Sequence, residues 1–221
     1  QNMSLGSSLV DLLNIKYIIL PKNVQINEQN VEVGKIIGPY KIVMDADTVL
    51  LENLNYLPRV FPVHTAYVLK TRDEIFAALL DPAFHPGEGV ILEEPPNVPM
   101  SPANVPSSQS KAEITQYFNR TIQVKAAMAA DGFLVLSEKY YSGWKAYVDG
   151  HQTPIYKADY TFQAIFLSKG DHVVTFAYQP PHFLLGLAIT MLTCLCLIGS
   201  VVYQKKSRGR MVTRIQTKTE Q

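Results

Sequence analysis

The sequence predicts a mainly β, α+β protein: a small α+β unit, an antiparallel β-sandwich of jelly-roll-like type, and one C-terminal transmembrane helix. Three observations predict it. Short apolar and β-branched runs recur between close turns over residues 112–178. Two earlier segments carry leucines at helical spacing among isolated strands. Residues 183–203 read FLLGLAITMLTCLCLIGSVVY, 21 positions without a charge.

Taken in order, residues 4–14 (SLGSSLVDLLN) read as a short helix and 15–20 (IKYIIL) as a buried strand closed by Pro21. Strands follow at 40–45, 48–52 and 59–70. Thr71 then precedes Arg72-Asp73-Glu74, an N-cap with acids in the first turn of a helix that Pro82 ends. One short strand at 90–92 completes a unit over residues 1–94. Residues 95–111, rich in proline and serine, read as an extended linker or a long surface loop.

The sandwich is expected over 112–179, with strands at 112–118, 121–128, 133–137, 144–148, 151–157, 160–167 and 172–178. Asn119-Arg120, Asp131-Gly132, Asp149-Gly150 and Lys169-Gly170-Asp171 supply the turns, and Asp149-Gly150 requires positive φ.

At about 1.5 Å per residue the charge-free run would cover about 31 Å, close to the thickness of a bilayer's hydrocarbon core. The tail, 204–221, holds six basic residues (Lys205, Lys206, Arg208, Arg210, Arg214, Lys218) against Glu220, a net of +5 in a chain whose total is +1. A cation cluster just past a span stays in the cytoplasm, so the tail is expected inside and the body outside. The body has no basic stripe, and no nucleic-acid partner is expected. Both cysteines, Cys194 and Cys196, lie within the apolar run, so no disulfide is available to the body. No initiator methionine or export signal precedes a body expected outside. The chain therefore reads as the C-terminal part of a multi-pass protein, with upstream membrane helices and the lipid bilayer as its partners.

The densest chemistry lies in 138–149. Tyr140, Tyr141 and Trp144 could stack on a sugar face while Glu138, Lys145 and Asp149 hydrogen-bond its hydroxyls. The competing reading makes this corner the plug of the sandwich, with charges at the rim. It is preferred for Trp144, while Glu138, Tyr140 and Tyr141 stay open between the two. Glu138 and Asp149 could also converge as an acid/base pair, although acids at strand ends are usually solvated. Arg59 serves either a lipid phosphate or an internal salt bridge. The five histidines show no metal-ligand spacing, and no phosphate loop or hydrolase motif occurs.

Residues 132–150, GFLVLSEKYYSGWKAYVDG, closely resemble the C-terminal region of the YfhO family of bacterial membrane proteins. Residues 158–173 (ADYTFQAIFLSKGDHV) resemble a second stretch of that family, and 12–19 and 53–61 resemble two earlier ones. Ser142, Gln163 and Ser168 depart from its usual proline, arginine and proline, which weakens any anion contact at 163. The resemblance implies a polytopic GT-C-type glycosyltransferase of the cell membrane, using a polyprenyl-phosphate sugar donor and a cell-envelope glycan acceptor. Its catalytic carboxylate would lie in the first outer loop, so these residues would be a non-catalytic accessory domain without a cofactor of their own. A structural or protein-contact domain of an envelope assembly is the alternative.

Overall fold

The computed structural model describes residues 8–21, 36–37, 40–98, 105–180 and 182–219. Residues 4–7 of the first expected helix and 99–104 of the expected linker lie outside these. The chain divides into two compact units, Gln1–Gln179 and Pro180–Gln221.

The first unit opens with helix α1 (Ser8–Leu12) and strand β1 (Tyr17–Pro21). Between them Asn14 adopts φ 59°, a left-handed conformation that asparagine tolerates, and its amide donates to the Leu57 carbonyl. β1 joins β2 (Ile36–Ile37), β3 (Tyr40–Asp45) and β4 (Thr48–Asn53) in a sheet ordered β1-β4-β3-β2. β4 buries alternate residues, Val49, Leu51 and Asn53. The buried Asn53 is satisfied by donating to Asp11 Oδ1 at 2.7 Å and to the Ile15 carbonyl at 3.1 Å.

Next come β5 (Val60–Val63), β6 (Thr65–Val68), helix α2 (Arg72–Leu80) and β7 (Gly89–Leu92). Then follow β8 (Lys111–Phe118), β9 (Thr121–Met128), β10 (Gly132–Leu136), β11 (Trp144–Val148), β12 (His151–Thr153), β13 (Tyr156–Ala158), β14 (Phe162–Leu167) and β15 (Gly170–Tyr178). They build a six-stranded sheet, β5-β10-β14-β13-β7-β6, and a five-stranded one, β12-β11-β15-β9-β8. β5 and β6 are the two edges of the first sheet, yet only His64 separates them in the chain, so that sheet curls until its edges meet.

One face of the curled sheet packs Phe61, Val63, Val90 and Phe133 against Leu12, Ile75 and Leu79 of α1 and α2. The other packs Leu134, Leu136, Ile165 and Leu167 against Ile122, Val124, Val174 and Phe176 of the five-stranded sheet. Each fully buried side chain of this kind stabilises by roughly 1.5–3 kcal/mol. Because β10 serves both cores, all five of its residues are buried and the usual in/out alternation vanishes. α2 starts as expected, with a reciprocal cap: Glu74 N–H donates to Thr71 Oγ1 and Thr71 N–H to Glu74 Oε2.

The antiparallel sandwich is therefore found, and several details differ from the sequence reading. The strand expected to be buried at 15–20 is half open, with Tyr17 and Ile19 exposed because β1 is an edge of its sheet. The division into units at 1–94 and 112–179 gives way to one body, because the curled sheet takes β5–β7 from one side of the linker and β10, β13 and β14 from the other. The described end of the linker is tied down: Ser110 is buried, its Oγ accepting from Ala129 N–H at 2.8 Å and lying 2.9 Å from His64 Nε2. His64 Nδ1 faces the Asp131 carbonyl, which only accepts, so Nδ1 carries the ring proton and Ser110 donates to Nε2. The single strand expected over 59–70 is bent at His64 into β5 and β6. The strand expected over 151–157 breaks at Pro154, which has no N–H for a ladder, and its halves enter different sheets.

The second unit contains helix α3 (Phe183–Thr219). Among the described residues no helix is long and apolar enough to cross a membrane. The side chains of α3 are described without a break from Leu185 to Val201, all exposed, and those of Leu184, Val202 and 204–221 lie outside the described set.

Candidate functional site

The sandwich has two ends, and the residues singled out from the sequence divide between them. Trp144 opens β11 and stands opposite Tyr178, the last residue of β15. Ala177 stands opposite Thr121, which places the β8–β9 turn, Asn119-Arg120, at the same end. The segment 137–143 crosses this end, and three of its hydrogen bonds fix the stretch from Lys139 to Gly143. Tyr140 N–H donates to the Thr161 carbonyl at 2.7 Å, Gln163 Nε2 to the Lys139 carbonyl at 3.0 Å, and Gln179 N–H to the Gly143 carbonyl at 2.6 Å. Gly143 takes φ 109°, where a Cβ would be strained.

Trp144 is half-buried, partly packed on the inter-sheet core, with its ring centroid 5.4 Å from that of Tyr178. Tyr141 extends the cluster, 6.5 Å from Tyr178. Beside it lies a hollow of about 200 Å³ bordered by Tyr140, Tyr141, Trp144, Lys145 and Gln152. That is below the roughly 300 Å³ of ordinary small-molecule sites. Trp144 is thus half-buried at the edge of the inter-sheet core, and the outward aromatic surface belongs to Tyr140 and Tyr141.

Arg59 and Glu138 meet in a salt bridge, Nη2 to Oε2 at 2.7 Å. Tyr117 hydroxyl donates to the same oxygen at 3.3 Å, and the guanidinium lies 4.9 Å from the Tyr117 ring centroid. The pair joins the approach to β5 to the exit of β10, where Ser137 N–H also donates to the Arg59 carbonyl at 2.8 Å. The guanidinium thus has an internal partner. Both side chains are partly solvated, so a double-mutant cycle of Arg59→Met with Glu138→Gln should give a coupling of about 0.5–1 kcal/mol in urea unfolding. A coupling indistinguishable from zero would make the bridge incidental.

Asp149 lies at the other end, five steps along β11 from Trp144, roughly 16 Å at about 3.3 Å per residue. The Asp149-Gly150 turn has φ 50° and 85°, as the dipeptide predicts. Asp149 Oδ2 is 2.7 Å from His172 Nδ1, and its Oδ1 accepts from Val173 N–H at 2.8 Å. These bonds, His172 first, hold its carboxyl below the ordinary range. Glu138 and Asp149 therefore do not converge, and each already has a partner, Arg59 for Glu138 and His172 for Asp149.

Ser168, His172 and Asp149 resemble a nucleophile–base–acid chain, but His172 Nε2 also lies 3.0 Å from the Ser168 carbonyl, closer than the 3.3 Å to its hydroxyl. A carbonyl only accepts, so Nε2 holds a proton there and cannot take one from Ser168. The open groove of about 870 Å³ at this end is lined by Lys111, Glu113, Lys125, Asp171 and His172 among others. Glu113 stands opposite Lys125 across the ladder, so the groove presents no field of one sign. Among the described residues no group of His, Cys, Asp and Glu could hold a metal ion.

Residues 103–190 match the family model described as bacterial membrane protein YfhO. Over this segment the chain is similar to the YfhO family. The matched segment runs from before β8 into the start of α3 and so contains both ends of the sandwich. A relative from Bacillus subtilis (strain 168), named "Uncharacterized protein YfhO", is 27% identical over 85 residues. That alignment covers 38% of this chain and 10% of the relative, so the chain matches about a tenth of that protein's length. No solved structure matches the chain.

Sequence reasoning passed over Tyr117, His172 and Tyr178, and it weighed Gln163 only as a departure from the resembled family's arginine. The signal for Tyr178 was present, because aromatics at the start of β11 and the end of β15 must pair once the Asp149-Gly150 and Lys169-Gly170 turns are placed. Gln163 carried no such signal. Its role depends on a carbonyl, Lys139, that only the folded chain brings within reach.

Proposed function

We propose that this chain is the non-catalytic extracytoplasmic domain and last membrane span of a polytopic glycosyltransferase. Its full-length form would move a sugar from a polyprenyl-phosphate carrier to a cell-envelope acceptor. The observation that carries this reading is the YfhO match over 103–190, taken with carboxylates that are already spoken for. Glu138 is paired with Arg59 and Asp149 with His172, which leaves neither free as a general acid or base.

Residues 183–203 form the span in this reading. They carry no charge, and the hydroxyls of Thr190 and Thr193 donate to the carbonyls of Gly186 and Ile189 at 2.9 Å. Such internal bonds satisfy polar groups where no water is available. The six basic residues after the span keep the tail in the cytoplasm and the sandwich outside.

The test is sugar transfer by the full-length protein in vesicles. Glu138→Gln and Asp149→Asn should leave turnover within about two-fold, whereas removing a true acid or base costs about 10²-fold or more. A loss of that size would make this domain catalytic. The second reading, a protein-contact domain, is favoured by one observation: Tyr17, Ile19, Val43 and Met44 leave an apolar surface about half exposed or more on the four-stranded sheet.

A further inference from the structure

The two ends of the sandwich differ in chemistry. The end where β15 finishes carries Tyr117, Phe118, Tyr140, Tyr141, Trp144 and Tyr178. Phe118 is 64% exposed, Tyr141 57%, Tyr117 52% and Tyr140 41%. Arg59, Arg120, Lys139 and Lys145 belong to the same end, with Glu138, which is paired with Arg59, and the buried Asp159 as its acids. The turns of the opposite end contain Asp131, Asp149 and Asp171 against Lys169, and no aromatic. An interior plug explains Trp144. It does not explain four half-exposed rings, because aromatic area left in water contributes nothing to the core.

Chain connectivity singles out the aromatic end. Tyr178 ends β15, and Phe183 begins α3 five residues later. A fully extended chain covers at most about 3.6 Å per residue, so five steps reach no more than about 18 Å. Tyrosine and tryptophan are the side chains that settle at a bilayer's headgroup level, with rings in the apolar boundary and polar tips in water, and cations beside them meet anionic headgroups.

We infer that this end of the sandwich is a docking surface for the lipid headgroup layer. Tyr117, Phe118, Tyr140 and Tyr141 enter the interface, and Lys139 and Lys145 meet anionic headgroups. The inference rests on residues 183–203 spanning the bilayer. It assigns to lipid the rings that could otherwise form a sugar platform, and it holds the opposite end, which carries charges of both signs, away from the surface.

The chain carries its own reporters. Trp144 is its single tryptophan, and Cys194 and Cys196 are its two cysteines. The 221-residue chain is reconstituted in phosphatidylethanolamine–phosphatidylglycerol vesicles, with and without a headgroup nitroxide lipid. The expected result is quenching of Trp144 by the headgroup nitroxide. Phe118→Ser combined with Tyr141→Ser, both at exposed positions, should reduce that quenching about two-fold or more. Both cysteines should resist a membrane-impermeant maleimide until detergent is added.

If the cysteines are protected but Trp144 is reached by aqueous acrylamide and not by the nitroxide, the docking surface is refuted while the span stands. If a soluble envelope oligosaccharide, and not lipid, shields Trp144 from acrylamide, the end is a glycan platform and the inference is overturned. Labelling of both cysteines without detergent would overturn the spanning reading, and this inference with it.

Discussion

Replacing Gly132 with alanine should cost about 3 kcal/mol or more of stability. A Cβ at this position would lie 2.3 Å from the Val63 carbonyl oxygen and 2.7 Å from His64 Nδ1. Both belong to the bend at which β5 becomes β6, and the carbonyl is backbone that cannot swing away. Gly132 opens β10, which pairs with β5 along Phe133↔Val63 and Leu136↔Val60, so pushing the strands apart opens the curled sheet where its edges meet. Gly150→Ala is the control. Nothing lies within 4 Å of its would-be Cβ, but its φ is 85°, so the cost there is conformational and about 1 kcal/mol. Urea unfolding of the two variants separates close approach from backbone strain. Equal losses would mean that Gly132 is not set by its neighbours.

Asp159→Asn should instead stabilise the fold, and only above mildly acidic pH. Asp159 is buried, its Oδ1 accepts from Ile91 N–H at 2.9 Å, and its Oδ2 has no partner. Burial pushes its carboxyl up from 3.8 to about 7. The folded state thus holds this proton more tightly than the unfolded chain does. No penalty exists below about pH 4, stability falls as pH rises toward 7, and the loss is level above that. At about 1.36 kcal/mol per pH unit between the two values, the penalty at pH 8 is on the order of 4 kcal/mol.

Asparagine keeps the acceptor for Ile91 and tolerates the φ of 46° at this position. It trades an orphan acceptor for an orphan donor, which costs about 1–3 kcal/mol. A net gain of about 1–3 kcal/mol at pH 8, and none at pH 4, should follow in unfolding midpoints. An unchanged pH slope would show that Asp159 is not the titrating group.

The same turn shows where sequence reading stopped. Residues 160–167 read as one strand, but Asp159 and Tyr160 take φ 46° and 70°, and Thr161 N–H closes the turn on the Ala158 carbonyl at 3.1 Å. An aromatic residue at positive φ carries no local turn signal. It is held by tertiary contacts: the Tyr160 ring lies 4.8 Å from that of Phe76, with Lys157 Nζ 4.8 Å from its centroid. Asp149-Gly150 was legible because its preference for positive φ is local. The cluster of 138–149 was legible as residue types and not as a site, since strand β11 carries Asp149 away from Trp144 while Glu138 turns to Arg59.

What the sequence by itself determined is whatever depends on neighbours along the chain: the turns, the cap at Thr71, the alternating strands after the linker, and the charge-free run followed by six cations. Only the tertiary structure decided which strands share a sheet. Pairing partners are chosen by burial across long sequence separations, so β5, β6 and β7 joined β10, β13 and β14 across the proline-rich segment, and two expected units became one body. The same long-range pairing placed Tyr117 and Phe118 at the end of the sandwich where Trp144 meets Tyr178, and there gathered six aromatic side chains from three separate stretches of sequence.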